Sequence, residues 1–546
     1  MNVKPKKVVS LVLNSVMHDA RVLKQAESLS NNGYDVTIIG VKDNKRSFDL
    51  KRLSENLSIQ LVAWKSQQYK VASLLIAGFY GVFLCLSAIF LTLILTQISF
   101  ESNVLNPSKL NLNWDFIAII GTFVFVVFLV TIKALRVYRK INGNAVRYAS
   151  LELGAKDDSS ILKYIFDLLD SIISIRNNEL FEAALKLSPD IVHCHDVHTI
   201  NIGVRLKNKL GIKIIYDAHE IYEEIAQGSE KQKLENEKKQ KIAEDNADYF
   251  ITINESIANY YSNKYPRLPK ATILKNACKF NGIIDYDGRL HEEANLPRDT
   301  KIILFQGGFA KARGLFDLIK IAKFLNDDWA LVFMGWGNIE EELKEVGSSI
   351  ENELINKRID SDLLPYKEKY LGSVLNELET SIVNKDSKKD GHQPYTLGTY
   401  DSFTSNYHKT LSQLENLKSK KRIAFLPGVP QNELTKWTAG ASLGVIPYEN
   451  IGLNHFYCTP NKLWEYPNAG VPILASPYPE MQKIVEGHDV GWLIEEPISP
   501  RTLAEFIMEI DDEELRLKKE NCYKFIESDN WSVYSERLIE LYRNIK

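Results

Sequence analysis

Cysteine is scarce in this chain. The 546 residues hold five, Cys85, Cys194, Cys278, Cys458 and Cys522, none paired at a short repeated spacing. That excludes a disulfide framework and a cysteine zinc ribbon, and it suits a reducing compartment. A charge excess is missing as well: the formal net charge is −3, so no basic surface for nucleic acid is implied. The basic start, Met1 to Lys7, runs at once into a strand pattern, so a cleaved secretory leader is not expected.

Two stretches lack charge altogether, Val71 to Phe100 and Phe116 to Ile132. The first is long enough for a bilayer span and the second is at the short end, with Trp114 placed as an interfacial anchor. Thirteen Phe, Ile, Val or Leu residues in the second favour insertion by roughly 4–8 kcal/mol. Lys65 and Lys70 precede the pair, Lys133, Arg136, Arg139 and Lys140 follow it, and the connecting loop holds only Lys109. The positive-inside rule then predicts a two-span hairpin over 71–135 in the cytoplasmic (inner) membrane, with both large parts cytosolic. A buried helical hairpin is the alternative.

What remains is an alternation of short apolar runs and helical patterns. At this length two or more domains are expected. Lys7 to Leu13 reads as a buried strand, Ala20 to Asn31 as a helix ended by Gly33, and Asp35 to Gly40 as a second strand. That βαβ unit predicts a parallel, doubly wound α/β sheet. Ile59 to Trp64 adds a third strand, and helical patterns cover Ile161 to Leu187. Asp190 to Asp196 (DIVHCHD) and Lys213 to Glu220 (KIIYDAHE) are apolar runs ending in titratable residues. Ligands in such sheets bind beyond the carboxyl ends of strands, so His193, His195, Asp196, Asp217, His219 and Glu220 are site candidates on the first domain. Asp248 to Ile253 and Ala271 to Leu274 complete its strands.

A second alternation starts at Lys301. Ile302 to Phe305 reads as a strand, Gln306 to Gly314 (QGGFAKARG) as a Gly-rich turn, and Leu315 to Leu325 as a helix. Ala330 to Met334, Ile423 to Pro427 and Leu443 to Pro447 are further strands. A charged insertion over 346–421 separates the last two from the first, with one amphipathic helix marked by Leu371, Val374, Leu375, Leu378 and Ile382. The expected domains are 1–275, interrupted by the hairpin, then 276–515, interrupted by the insertion, and a C-terminal helix over 516–546.

Thr459 to Ser476 (TPNKLWEYPNAGVPILAS) is the densest stretch. Thr459 reads as an N-cap, Pro460 as the first helical residue, and the helix as running to Asn468 before Gly470 stops it. A helix start of this kind offers free N–H groups to an anion. Lys462 in its first turn seeks an anionic partner, and Glu465 lies one turn on. A capped core helix with a solvated Lys is the plainer reading.

Taken in order, HDARVLKQAESLSNNGYDVTII, PDIVHCHD, IIYDAHEIYEE, QGGFAKARGL and TPNKLWEYPNAGVPILAS with PEMQKIVEGHDVGWLI resemble the retaining glycosyltransferase family 4, whose fold is GT-B. The resemblance implies two Rossmann-like domains facing a cleft, a nucleotide-diphosphate-sugar donor on the second and an acceptor on the first, and no metal cofactor. It places Arg313 on the donor diphosphate, next to Gly307 and Gly308, with Gly308 standing where the family often has a second Arg. Glu465 matches the carboxylate that holds the donor ribose, and the family's other Glu falls at Tyr457. Lys462 and Asn461, with Thr459, belong to a variant motif assigned to phosphate. His195 matches a histidine beside the transferred sugar. His193, Asp196, His219, Glu220 and Asp19 fall on the acceptor side, and Arg21 shares the first loop and helix with Asp19, where an internal ion pair is an alternative to substrate contact. A zinc reading of His193 and His195 would need a third and fourth ligand, with His219 as one candidate.

The function this implies is transfer with retention, catalysed with His195, Arg313 and Lys462, to a lipid-linked saccharide in bacterial surface polysaccharide assembly. The bilayer, the nucleotide sugar and the polysaccharide acceptor are the expected partners. The competing readings are a nucleotide-sugar epimerase on the same fold and a non-catalytic membrane-anchored scaffold.

Overall fold

The protein is described by a computed structural model, over residues 5–17, 19–42, 48–62, 179–225, 228–280, 282–357, 421–494 and 496–545. The hairpin expected over 71–135, the helix expected around Leu371, and the first part of the helical pattern from Ile161 lie outside these residues. Among the described residues no helix is long and apolar enough to cross a membrane.

Fourteen strands form two sheets among the described residues. The first contains β1 (Lys7–Leu11), β2 (Asp35–Val41), β3 (Leu50–Ser54), β4 (Leu57–Val62), β5 (Ile191–His195), β6 (Lys213–Ala218), β7 (Tyr249–Thr252) and β8 (Ala271–Ile273), in the order 3-4-2-1-5-6-7-8. The second contains β9 (Lys301–Phe309), β10 (Trp329–Gly337), β11 (Ile423–Pro427), β12 (Leu443–Ile446), β13 (Ile473–Ala475) and β14 (Gly491–Leu493), in the order 11-10-9-12-13-14. The pairs from β4 through β7 are parallel, and so are all those of the second sheet. Val192, Ile214, Leu304 and Val332 are fully buried, as expected of parallel strands covered on both faces. In each sheet the strand order reverses beside its first strand, at β1/β5 and at β9/β12. Those switch points are where such sheets bind ligands.

The chain divides into two compact units. One is drawn from Met1–Thr252, Asn259–Thr272 and Leu538–Lys546, the other from Ile253–Ala258 and Ile273–Arg537. The expected separate 516–546 helix is instead two helices, Asp512–Ser528 and Trp531–Arg543. Asp529 and Asn530 break them, because Asp529 accepts from Trp464 Nε1 (3.0 Å) and Tyr534 Oη (2.8 Å) while Asn530 Nδ2 caps the Ile526 carbonyl (2.9 Å).

Three further expectations change. β3, antiparallel to β4, is exposed at every residue and so carries no apolar alternation. The predicted Gly-rich turn is strand as far as Phe309. Gly335 and Gly337 let β10 run against it, since a Cβ on Gly335 would lie 1.9 Å from the Gly307 carbonyl oxygen. The insertion also begins later than 346: a helix over 340–357 buries Ile350 and Leu354 in the core of the second unit. Its Glu351 accepts from the backbone N–H groups of Arg422 and Ile423, both at 2.6 Å, and so anchors the start of β11.

Candidate functional site

The carboxyl ends of β5 and β6 carry the first cluster. Residues two apart on a strand share a face, and His193 and His195 stack with ring centroids 4.2 Å apart. Both turn toward Asp217, the neighbouring residue of β6 in register with His195. Asp217 Oδ2 lies 3.5 Å from His193 Nε2, 3.4 Å from His195 Nδ1 and 3.2 Å from His219 Nε2. Arg21 donates to Asp217 Oδ1 at 2.9 Å and Gln25 to Oδ2 at 2.8 Å. Those two share one face of the Ala20–Asn31 helix because they are four residues apart.

Burial opposes a charge on Asp217, but Arg21 and the histidines outweigh it and hold the carboxyl well below the usual carboxylate range. His219 is the mirror case: burial disfavours its cation, Asp217 and Asp196 outweigh burial, and its pKa is raised. His195 goes the other way, because burial and the adjacent His193 push its imidazole down to about 3. Burial likewise lowers His193 and raises the carboxyl of Asp196.

Asp196 sits at φ 65°, ψ 153°, a conformation that costs a non-glycine residue about 1–3 kcal/mol. It lies 3.2 Å from His219 Nδ1 and accepts a short hydrogen bond from Tyr222 Oη. Asp19, expected on the acceptor side, is consumed structurally. It caps the first helix through Val22 N–H (3.1 Å) and accepts from Asn14 Nδ2 (2.8 Å). Arg21 pairs with Asp217. Glu220 is exposed, and its carbonyl accepts from Tyr261 Oη (2.7 Å). His195 is 1 % exposed, whereas the side chains of His219 and Asp196 are 18 % and 23 % exposed.

The second cluster lies at the β9/β12 switch point. Tyr448, just past β12, is its centre. Its backbone carbonyl accepts from Ser476 Oγ and Tyr478 Oη, each at 2.7 Å. The Arg313 guanidinium stacks on its ring at 4.1 Å, and the Lys462 ammonium donates to its hydroxyl at 3.2 Å. Lys462 is 7 % exposed, and its ammonium is packed against Gly307, where a Cβ would come within 3.0 Å of Nζ. Burial first, then the like charge of Arg313, push the Lys462 pKa down to about 7. His455 borders the same group, its pKa lowered by burial and, to a smaller degree, by the like charge of Arg313, against the Glu449 carbonyl.

Glu465 is held beside this pocket. Gln306 Nε2 donates to it at 3.0 Å and Gln431 Nε2 at 3.4 Å, while Thr438 Oγ1 donates to Gln306 Oε1 at 2.7 Å and so fixes the orientation of that amide. Gly314 opens the Leu315–Lys320 helix at φ 66°, and its N–H donates to Glu449 at 3.2 Å. Gly308 is exposed with open space around it.

The reading of Thr459 as a cap is corrected. The helix is Lys462–Asn468, its N-cap is Asn461 in helical conformation, and no side chain caps it. Thr459 is buried at 2 %, taken up by Asn254 Nδ2 at its hydroxyl (3.3 Å) and Asn276 Nδ2 at its carbonyl (3.0 Å). Asn461 is exposed. Neither adds to the cationic pocket, which is built by Lys462, Arg313 and Gly307. At Tyr457 the backbone carbonyl accepts from Asn254 Nδ2 at 2.7 Å and the ring meets Phe456 at 5.2 Å.

The residues sequence reasoning missed are Gln25, Tyr542, Gln306, Thr438 and Tyr448. The four-residue spacing from Arg21 was a usable signal for Gln25. Tyr542 Oη, 2.8 Å from His193 Nδ1, gave none.

No protein-family model and no curated protein matches the sequence. Solved structures do match. Sucrose-phosphate synthase from Thermosynechococcus elongatus aligns with TM-score 0.53 and 12 % identity over 98 % of each chain. HepE from Anabaena, solved in complex with UDP-glucose, aligns with TM-score 0.52 and 9 % identity over 98 % of this chain and 99 % of its own. An α,α-trehalose-6-phosphate synthase from Burkholderia multivorans aligns with TM-score 0.50 and 10 % identity over the whole of both. What this likeness establishes is the fold, that of the GT-B glycosyltransferases.

Proposed function

We propose that the chain is a retaining glycosyltransferase that takes a nucleotide-diphosphate sugar on its second unit. The observation that carries this reading is the pair of cations on Tyr448. Arg313 and Lys462 share a neutral phenol, and the buried ammonium is depressed to about 7 by burial first and then by the like charge of Arg313. A diphosphate would bring negative charge to both cations. A guanidinium forks onto phosphate oxygens and an ammonium acts as a point charge. Glu465, oriented by Gln306 and Gln431, is the acceptor for ribose hydroxyls. HepE, of the same fold, was solved with UDP-glucose, which supports UDP as the first nucleotide to test.

In the reaction the bond between the anomeric carbon and the diphosphate oxygen breaks as the acceptor hydroxyl approaches from the same face. Its proton passes to the departing phosphate. Arg313 and Lys462 stabilise the charge that grows on the diphosphate, an interaction strongest in the transition state. On the first unit, Asp196 and His219 are the groups placed to contact the acceptor. The uncharged stretches Val71–Phe100 and Phe116–Ile132, flanked by Lys and Arg, support a membrane hairpin and hence a polyprenyl-diphosphate-linked saccharide as acceptor, since tethering raises the effective concentration of a lipid-borne substrate.

Titration calorimetry of the full chain with UDP and GDP tests the donor half. Binding lost in Lys462→Met, with folding intact, is the expected result. Equal binding by wild type and variant, or none by folded wild type, overturns it. For the acceptor half, detergent-solubilised enzyme is offered a lipid-linked saccharide and a free sugar, and preference for the free sugar rejects the lipid assignment.

A further inference from the structure

At the carboxyl edge of the second sheet one large side chain stands out of the core. Trp336, the last residue but one of β10, is 58 % exposed, and it is the only exposed aromatic side chain among the described residues. The rest of the strand, from Trp329 to Gly335, is buried. A lone exposed apolar side chain is ordinary in itself. The surroundings of this one are not.

Met334, two residues back on β10 and so on the same face, is in register with Gln306, the amide that donates to Glu465. Trp336 itself is in register with Gly308, which follows the Gly307 packed on the Lys462 ammonium. Adjacent strands lie about 4.8 Å apart, so the indole stands one strand outward from the cationic pocket. The chain after β11 ties the group together. Gln431 donates to Glu465 at 3.4 Å, and three residues earlier Gly428 adjoins the indole. A Cβ on Gly428 would come within 2.0 Å of Trp336 Cζ3, whereas one on Gly308 would meet nothing within 4 Å. The ring is seated against bare backbone, beside open space.

We propose, resting on the donor reading of the Lys462 pocket, that Trp336 is the platform on which the nucleobase of the donor stacks. The groups then follow the order of a nucleoside diphosphate: diphosphate at Arg313 and Lys462, ribose at Glu465, base at Trp336. Every base has a π-face, so the platform holds uracil and guanine alike and leaves the choice between them to other groups. Gly428 is a positioning residue, because any side chain there would push the indole off the loop.

The test is calorimetry of the full chain with UDP, GDP and inorganic pyrophosphate, read together with tryptophan fluorescence. Trp336→Ala should weaken UDP and GDP about 5–150-fold each and leave pyrophosphate, which carries no base, unchanged. Trp336→Phe keeps a ring and should restore most of that loss, and Gly428→Ala should weaken the nucleotides alone. Saturating UDP should quench the fluorescence of wild type more than that of Trp336→Phe. Equal UDP affinity in wild type and Trp336→Ala overturns the platform and leaves the donor reading standing. So does a loss in Trp336→Ala that pyrophosphate shares in full, or a fluorescence response identical in wild type and Trp336→Phe. Folded wild type that binds none of the three ligands overturns the donor reading and the platform with it.

Discussion

The two strand-end clusters treat charge in opposite ways. At β5/β6 a buried carboxylate gathers an arginine, a glutamine and three histidines around itself. At β9/β12 two cations share a phenol. The first cluster sets opposite charges face to face, whereas the second brings two like charges onto one ring. The difference teaches how to tell a stabilising polar network from a ligand pocket: the sign of the effect when one member is removed.

The largest effect is expected at Asp217. Asp217→Asn leaves Arg21 buried without its counter-charge and should cost about 3–5 kcal/mol of stability, seen in denaturant unfolding. An unchanged midpoint would erase the contrast. Arg313→Ala should slow transfer by about 3 kcal/mol in the barrier, as loss of one strong oxyanion donor does, while leaving the melting temperature close to wild type. Full turnover by a folded Arg313→Ala enzyme would remove the diphosphate from that pocket.

Lys462 sharpens the contrast through pH. Its folded pKa of about 7 lies below the ordinary 10.5, so between those values the unfolded chain binds more protons and stability rises with pH. The penalty of the buried cation is fully present below pH 7. UDP should draw a proton onto Lys462, so its affinity should fall up to about tenfold per pH unit above 7. Calorimetry at pH 8 in buffers of different ionisation heat reads that proton uptake. No uptake would mean the ammonium is already charged. The smallest effect is Tyr448→Phe, which keeps the Arg313 stack and removes one hydrogen bond. It should cost about 1 kcal/mol in UDP affinity, and a much larger loss would make the hydroxyl itself a ligand contact.

Much of the fold was legible because parallel strands buried on both faces read as plain apolar runs, as in Ile191–His195 and Lys213–Ala218. β3 was not, since all its side chains face solvent. Gln306 and Gly307 read as a turn because glycine signals turns locally, and only the register with β10 shows them as strand. Lys462, Arg313 and Glu465 were legible from an ordered motif. Tyr448 was not, because a phenol past a strand looks like core. The Asp217 cluster was half legible: its strand ends declare themselves, but its helix donors and Tyr542 come from 192 to 349 residues away along the chain.

That last distance has a consequence in time. The N-terminal unit draws on Leu538–Lys546, so its histidine cluster waits for Tyr542. At about 5–20 residues per second, the ribosome needs roughly a quarter of a minute to a minute to travel from Thr272 to that tyrosine. Throughout that interval the first sheet stands with one wall of its polar cluster unbuilt, and the half of the protein made first is the half finished last.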